Sequence, residues 1–466
     1  MQSAHFRKRT ARQSGGVLCY NAGNMADTDT TQVDSPVPAG DAPPMRRFME
    51  TKAGDAEGRA LTLKAVPGQM SVPAQDTARL PLLLEVRGRA LRPGAKRPPL
   101  NIALAIDRSA AMAGEPLEFA KRACAYVVDL LEPDDFLSIV AFEADADIIV
   151  PARRVRDKAL VKDYVQRLST GRPADLTEGL LAACRQAATV RTSRMISRVL
   201  LLTEGGMALT GPAAERLRGQ VAEQKARGLT VSTFGVGTAY SEGLLAALAW
   251  AGGGSFYDVP RPERTPEAFR REMEAAGRTV AAGVRLRLAL SRGVSVREAS
   301  GHSPVFGPRS AEVGMVDIEG GSGVAALWEL EMTARPPGTY RVAQAEALYE
   351  DARTGRQEKV SAEVVVEFAE GGGHPGAGLD GRVQAEREIA QAGVMLSETL
   401  AALRGGRLDR AGALGALQNT KALMLDRGRL AQAQRITQAM QEIEAGGAVE
   451  KTLTGTVTAL AQGRMR

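Results

Sequence analysis

The sequence predicts an α/β protein in which a doubly wound, mostly parallel sheet is inserted into an antiparallel β-sandwich and followed by an all-α hairpin region. Three patterns indicate this fold class. Between residues 100 and 280, short apolar runs alternate with amphipathic helical stretches, which is typical of a parallel sheet covered on both faces. On either side of that region, alternation with a period of two predicts antiparallel strands. Near the end of the chain, helical periodicity predicts packed helices.

The predicted parts follow one another along the chain, and their boundaries fall where composition or periodicity changes. They are a disordered leader (1–57), the first sandwich strands (58–98), the α/β domain (99–280), the remainder of the sandwich (281–368), a Gly-rich linker (369–381) and a helical tail (382–466). The leader is polar and rich in Pro and Gly without periodicity, which is typical of disorder. The two early strands, at 60–66 and 80–87, have no other predicted partner. We therefore expect them to complete the sandwich.

The α/β domain is predicted from six apolar runs and six helical stretches. The runs are 101–106, 137–142, 147–150, 199–203, 230–236 and 255–259, and the helical stretches are 115–131, 157–168, 177–190, 212–227, 241–251 and 265–277. In the first helical stretch, apolar side chains recur every three or four residues and so share one face. Right-handed crossovers between parallel strands then give a doubly wound sheet. We interpret Gly252-Gly253-Gly254 as a turn before the last strand.

The later sandwich strands are predicted at 284–288, 326–332 and 364–368, with turn signals between them and one face in water. In the tail, breaks at Gly405-Gly406, Gly428 and Gly446-Gly447 predict about four short helices in up-down hairpins.

Composition argues against several functional classes. The chain has 466 residues and a formal net charge of +6, but the first 24 residues hold four basic and no acidic side chains, which leaves 56 basic against 54 acidic residues after them. No nucleic-acid partner is therefore expected, and no aromatic interleaving supports base stacking. The chain has three cysteines and three histidines, which favours a cytoplasmic protein and predicts no catalytic residues and no small-molecule substrate. No apolar run of 18 residues occurs, so no membrane insertion is expected.

The first apolar run of the α/β domain ends in the loop Ile106-Asp107-Arg108-Ser109-Ala110-Ala111-Met112. Ligands of doubly wound folds lie beyond the carboxyl ends of the strands, where this loop is placed. The stretch PLNIALAIDRSAAMAGEPLEFAK resembles the opening of a von Willebrand factor A (VWA) domain, and VLLLTEGG resembles its fourth strand. The resemblance extends over about 58–445, to bacterial proteins in which a VWA domain is inserted into a β-sandwich with a helical tail. It implies a Rossmann-like VWA fold.

In that family, an Asp-x-Ser-x-Ser loop, a Thr from a second loop and an Asp after the fourth strand hold Mg²⁺. Asp107 and Ser109 match this pattern, whereas Ala111, Ala174 and Glu204 stand where the second Ser, the Thr and the last Asp belong. Mg²⁺ requires near-octahedral oxygen ligation at about 2.0–2.1 Å, and a methyl group supplies no ligand. The resemblance therefore implies a degenerate metal-ion-dependent adhesion site. Asp107, Ser109 and Glu204 are its vestigial candidate ligands, and no resident cofactor is expected.

We expect the same three residues, with Asp175, to bind a partner. Thr177 is expected to cap the helix that follows. Two functional hypotheses result. The first is a non-enzymatic protein–protein interaction or scaffold protein that uses a VWA domain with a degenerate metal site. The alternative is a Mg²⁺-dependent VWA adhesion module in which Asp107, Ser109 and Glu204 retain a weak metal site. Both hypotheses predict protein partners.

Overall fold

The computed structural model describes residues 59–444 except 92–93, 95, 206–208, 371–378, 406 and 408, together with residues 453–454, 457 and 464–465. The predicted leader and most of the predicted Gly-rich linker lie outside the described residues.

The strands are β1 (Leu61–Pro67), β2 (Ser71–Pro73), β3 (Ala78–Gly88), β4 (Leu100–Asp107), β5 (Phe136–Phe142), β6 (Ala146–Arg154), β7 (Ile196–Thr203), β8 (Thr230–Val236), β9 (Gly253–Val259), β10 (Thr279–Leu290), β11 (Val294–Ala299), β12 (Val305–Gly307), β13 (Ser310–Gly314), β14 (Ile318–Glu319), β15 (Gly323–Met332), β16 (Gly338–Asp351), β17 (Gln357–Ala369) and β18 (Arg464–Met465). The α-helices are α1 (Glu115–Leu130), α2 (Lys158–Gln166), α3 (Leu176–Val190), α4 (Gly211–Ala226), α5 (Glu242–Ala251), α6 (Thr265–Arg278), α7 (Gly381–Arg404), α8 (Arg410–Asp426) and α9 (Leu430–Glu444).

Two sheets form a β-sandwich around an aliphatic core. The strand order is β1-β3-β15-β11 in one sheet, with β18 beside β15, and β12-β13-β10-β16-β17-β2 in the other, with β14 beside β10. Neighbouring strands are antiparallel except β2, which pairs with β17 in parallel. Early strand β3 pairs with late strand β15 over ten positions. The early strands therefore complete the sandwich, as the sequence predicts.

The α/β domain leaves the sandwich after β3 and returns to it at β10. Its sheet has the order β6-β5-β4-β7-β8-β9 and is parallel except at β6, which pairs with β5 in the antiparallel sense. All residues of the central strand β4 are buried, because α1, α2 and α6 cover one face of the sheet and α3, α4 and α5 cover the other. The predicted doubly wound, mostly parallel sheet is confirmed.

The structure corrects the interpretation of Gly252-Gly253-Gly254 as a turn before the last strand of this sheet. Gly253 and Gly254 lie inside β9 and not in a turn before it. A Cβ atom on Gly254 would stand 2.1 Å from the carbonyl oxygen of Val231 on β8. The two strands therefore approach too closely here for a side chain, which explains the glycine.

The helices of the tail follow the predicted breaks and are longer than predicted. Three of the predicted helices are observed as α7 to α9, and the fourth, expected after Gly446-Gly447, lies mostly outside the described residues, of which 453–454 and 457 are helical. Gly405 and Gly428 do follow helix ends, whereas Gly446 and Gly447 lie outside the described residues. The helices share a core that includes Leu396, Leu417 and Ile436.

The tail also packs on the sandwich. Val383 of α7 is fully buried against apolar side chains on the outer face of the β1-β3-β15 sheet. That face is therefore only partly in water.

Candidate functional site

The loop with the predicted site residues lies at the carboxyl edge of the α/β sheet, which we define as the loops following β4, β5, β7 and β8 together with the loop before α3. Because these strands are parallel, their carboxyl ends meet at one edge. Strand β4 lies between β5 and β7, so the loop after β4 occupies the centre of this edge.

Asp107 ends β4, and its buried carboxylate is held by protein donors. The backbone N–H of Ser109 donates to Asp107 Oδ1 at 2.7 Å, and the Thr203 hydroxyl donates to Oδ2 at 2.6 Å. The hydroxyl oxygen of Thr203 in turn accepts the backbone N–H of Gly205 at 2.8 Å. This chain of hydrogen bonds joins the loop after β4 to the end of β7. Asp107 thus forms an Asx turn with Ser109 at the start of the loop.

Sequence reasoning missed Thr203. It stands directly before Glu204, and the register that aligns Ile106 with Leu202 brings it opposite Asp107. In the sequence, Thr203 is marked only by its position at the carboxyl end of a predicted strand. That position does not show that this strand lies next to the one that ends in Asp107.

The rest of the loop turns sharply into the domain core. Residues Ala110–Met112 form a single 3-10 turn in which the Met112 N–H donates to the Ser109 carbonyl at 3.0 Å. Ser109 is 5% exposed and Met112 is fully buried, whereas Ala111 is exposed. The turn therefore presents a methyl group to solvent where the family pattern has a hydroxyl.

The second loop brings Ala174 and Asp175 to the same edge. Ala174 is buried, and Asp175 is exposed but engaged as the cap of α3, where its carboxylate accepts the Glu178 N–H at 3.1 Å. The prediction that Thr177 caps this helix is wrong, because α3 begins at Leu176 and places Thr177 inside its first turn.

Glu204 is half-buried, and its side chain extends toward the turn after β8. A Cβ atom on Gly237 would lie 2.7 Å from Glu204 Oε1. Gly237 also has a φ of +74°, so both the backbone conformation and the close carboxylate favour glycine there. The longer Glu side chain therefore packs along this turn, whereas Thr203 makes the contact to Asp107.

A charged cluster beside the loop was not predicted. We call it the rim cluster, and it consists of Arg108, Glu143, Asp145, Asp147 and Arg172. Arg108 lies 2.6 Å from Asp147 and 3.5 Å from Glu143, and Arg172 lies 2.7 Å from Asp145 and 3.3 Å from Glu143. The Arg172 backbone N–H, donating at 2.7 Å, lowers the pKa of Glu143, and Arg108 lowers it further. The cluster ties together the loops after β4 and β5 and the loop before α3.

The described part of the chain shows neither a cluster of metal ligands nor a reactive thiol. No group of three or more His, Cys, Asp or Glu residues stands close enough there to hold a metal ion. Burial raises the pKa of the Cys124 and Cys184 thiols to about 12, so both are packing residues, as predicted. Within the same residues, no helix is long and apolar enough to span a bilayer.

Comparisons with known proteins agree with the geometry. The family model of the von Willebrand factor type A domain matches residues 101–271. The uncharacterized protein sll0103 of Synechocystis is 33% identical over 176 residues, which are 38% of this chain and 41% of that protein. The uncharacterized protein YfbK of Escherichia coli is 26% identical over 199 residues, which are 42% of this chain and 35% of that protein. The matched regions thus span less than half of either relative.

Solved structures extend the similarity of fold beyond that domain. The von Willebrand factor type A protein from Catenulispora acidiphila aligns over 88% of this chain and 97% of its own, with a TM-score of 0.68 and 17% identity. The ArnB paralog VWA2 from Sulfolobus acidocaldarius aligns over 86% of this chain and 98% of its own, with a TM-score of 0.59 and 14% identity. At these identities the likeness concerns the fold alone. Together with the family match, it shows that residues 101–271 have the fold of a von Willebrand factor type A domain, and we call them the VWA domain.

Proposed function

We propose that this chain is a non-enzymatic docking protein whose VWA domain binds a protein partner at its carboxyl edge without a resident metal ion. The VWA domain itself supports a protein-interaction module. The observation that carries the finer proposal is that each carboxylate oxygen of the buried Asp107 accepts a hydrogen bond from the protein, one from the Ser109 N–H and one from the Thr203 hydroxyl. The scarcity of cysteine favours a cytoplasmic location for this activity.

The residues present do not fit a Mg²⁺ site of the family's kind. Mg²⁺ demands near-ideal octahedral oxygen ligation. Ala111 and Ala174 offer no side-chain oxygen, and Glu204 extends along the turn at Gly237. The hydrogen bond from Thr203 further reduces the capacity of Asp107 to bind a cation. Contacts with a partner would then rest on the exposed groups of the edge.

Those exposed groups give the proposed surface its chemistry. Asp107 and Ser109 are buried and so position the loop, whereas Ala111, Arg172 and Asp175 are exposed. The surface combines a small apolar tip with charged side chains that the rim cluster holds in place. Such a surface suits a protein partner that offers complementary charges around a small apolar contact.

Partner capture with an Ala111→Arg variant tests the docking role. The added side chain would project from the exposed tip of the loop without removing any hydrogen bond described above. We expect it to weaken co-purification of the partner by about tenfold or more, equivalent to about 1.4 kcal/mol, while addition of a chelator leaves capture by the natural chain unchanged. Quantitative mass spectrometry of cross-linked complexes measures both effects.

Ala222→Arg is the matched control, since Ala222 is exposed on α4 away from this edge. Equal loss of the partner with both variants would remove the carboxyl edge as the docking surface. Loss of the partner on chelation would instead favour the metal-dependent alternative.

Calorimetric titration with Mg²⁺ and Mn²⁺ separates the two hypotheses directly. We expect no measurable binding to the natural chain. The triple substitution Ala111→Ser, Ala174→Thr and Glu204→Asp should create binding in the millimolar range or tighter, about 4 kcal/mol or more, because it restores the missing oxygen ligands. Micromolar binding to the natural chain that Asp107→Ala abolishes would contradict the proposal. No gain in the triple variant would show that the loops are wrongly matched to the family pattern.

A further inference from the structure

The sandwich inserts a buried carboxylate into the base of the VWA domain, at the end of the sheet opposite the carboxyl edge. Asp317 lies in the short connection between β13 and β14, and its side chain is 4% exposed. It accepts Lys225 Nζ and the Thr230 hydroxyl, both at 2.7 Å and both from the VWA domain. It also accepts the backbone N–H of Gly283 on β10 at 3.1 Å. One side chain thus links the two parts of the fold.

Arg198 near the start of β7 completes this arrangement. Its buried guanidinium donates to Glu272 Oε1 at 2.8 Å and to the Thr279 hydroxyl at 3.3 Å, and it lies 3.7 Å from Asp317. We define Arg198, Lys225, Glu272 and Asp317 as the junction cluster. Arg198, Glu272 and Asp317 are buried and Lys225 is half-buried, and the two cations and two carboxylates balance in charge, which makes this burial energetically tolerable.

The pKa of Asp317 agrees with this geometry. Burial alone would raise the pKa of this carboxyl group, but Lys225 and then Arg198 hold it well below its usual range. The carboxylate therefore stays ionised at neutral pH. Removing it would take one carboxylate away from the buried Arg198 guanidinium and the half-buried Lys225 ammonium, which costs more than the loss of an exposed ion pair.

One polar atom of the junction cluster lacks a protein partner. Arg198 Nε is buried, and its N–H donates a hydrogen bond to no atom of the described residues. A cavity of about 20 Å³ borders Arg198, Ser255, Asp317, Glu319 and Ser322. Roughly 10–15 Å³ is enough for one water molecule when several polar partners line the space. The cavity has both the volume and the hydrogen-bonding groups for one.

Two more contacts cross the same junction away from the junction cluster. Trp250 of α5 stacks on His302 of the sandwich with ring centroids 5.9 Å apart, and Arg191 lies 3.6 Å from Glu350. Burial lowers the pKa of His302 to about 4, so its ring is neutral at physiological pH. These two contacts join the VWA domain to the sandwich at further points of the same junction.

We propose that the base of the VWA domain binds one structural water at Arg198 Nε, and that this hydrated junction cluster fixes the domain in a single pose on the sandwich. Strand β7 then runs from Arg198 at the junction to Thr203 at the carboxyl edge. The pose of the docking edge relative to the sandwich and tail is therefore set at Asp317. The junction is independent of what the edge binds.

Hydrogen–deuterium exchange of the full chain tests the pose. Asp317→Ala should accelerate exchange by about tenfold or more at residues 225–232 and 279–284, which flank the junction, and leave β4 unchanged. Glu312→Ala is the matched control, because it removes a more exposed ion pair with Arg285 from the same sandwich. No local acceleration, or equal acceleration in β4, would overturn the proposal.

A second variant keeps the test decisive if Asp317→Ala does not fold. Lys225→Met leaves the contacts of Asp317 with Thr230 and Gly283 in place, and should produce a smaller acceleration at the same residues. Unchanged exchange in that variant would also overturn the proposal.

A crystal structure of the full chain tests the water, which we expect within about 3.2 Å of Arg198 Nε. An empty cavity, or a protein acceptor at that nitrogen, would refute the water site.

Discussion

Replacing Gly179 with alanine is expected to lower the free energy of unfolding by about 1–3 kcal/mol, although alanine is the better helix former. Gly179 lies in the first turns of α3, where the helix crosses the end of β5. A Cβ atom there would stand 2.2–2.7 Å from three ring carbons of Phe142, and that ring is fully buried. Because the core around it is close-packed, neither the ring nor the helix has space to move without strain.

Gly219→Ala provides the matched control for this substitution. Gly219 lies in α4, is exposed, and has no atom within 4 Å of the added Cβ position. The same chemical change should therefore stabilise the protein by up to about 1 kcal/mol through helix propensity alone. Denaturant unfolding followed by circular dichroism measures both values. Similar effects of the two substitutions would mean that α3 does not pack on Phe142 as described.

The clash at Gly179 also bears on the candidate site. The Gly179 N–H donates to the Asp175 carbonyl at 3.1 Å, and the Asp175 N–H donates to the Glu143 carbonyl at 2.6 Å. A helix displaced from Phe142 would pull the loop before α3 away from the rim cluster. We therefore expect the Gly179→Ala variant to lose partner capture as well as stability.

Much of the fold was predictable because local patterns carry it. The strand predicted at 230–236 is observed as Thr230–Val236, since an apolar run bounded by turn residues specifies a buried strand without reference to the rest of the chain. The amphipathic stretches of the α/β domain likewise became helices within a few residues of their predicted ends. In the helical tail, the predicted breaks at Gly405 and Gly428 are observed at helix ends, because glycine is a poor residue for a helix interior.

The candidate site was predictable only where one segment contains it. Asp107 and Ser109 are two residues apart and were identified together. The partner of Asp107 is Thr203, and their contact requires that β7 lie next to β4. The order of strands in a sheet cannot be inferred from any single segment of the sequence. The same limit applies to Asp317, whose partners Lys225 and Thr230 are about 90 residues away in the sequence. Contacts of this kind appear only once the topology is known.

A second large effect is expected from Val383→Asp at the start of the helical tail. Val383 is fully buried against Val66, Leu83, Ala325 and Leu327 on the outer face of the sandwich. Strand alternation assigns this face to water, and the run Leu82-Leu83-Leu84 is the local sign that it is covered. Burial of the valine contributes about 1.5–3 kcal/mol, and an unpaired carboxylate there costs several kcal/mol more unless the helix detaches. We expect the start of α7 to leave the sheet.

Val394→Asp separates loss of this contact from a general effect of a new charge on α7. Val394 lies on the same helix but is 59% exposed, so its substitution should change the free energy of unfolding by no more than about 0.5 kcal/mol.

Hydrogen exchange of the Val383→Asp variant measures the detachment. Exchange should rise at residues 381–389 and in the outer face of β3 and β15, while α8 and α9 keep their mutual core around Leu417 and Ile436. Protection at 381–389 that survives the substitution would mean that the start of α7 is held on the sandwich by the Arg382–Glu85 ion pair and not by Val383. Loss of protection throughout the sandwich would instead mean that the docked helix is part of its core, in which case the tail and the sandwich fold as one unit.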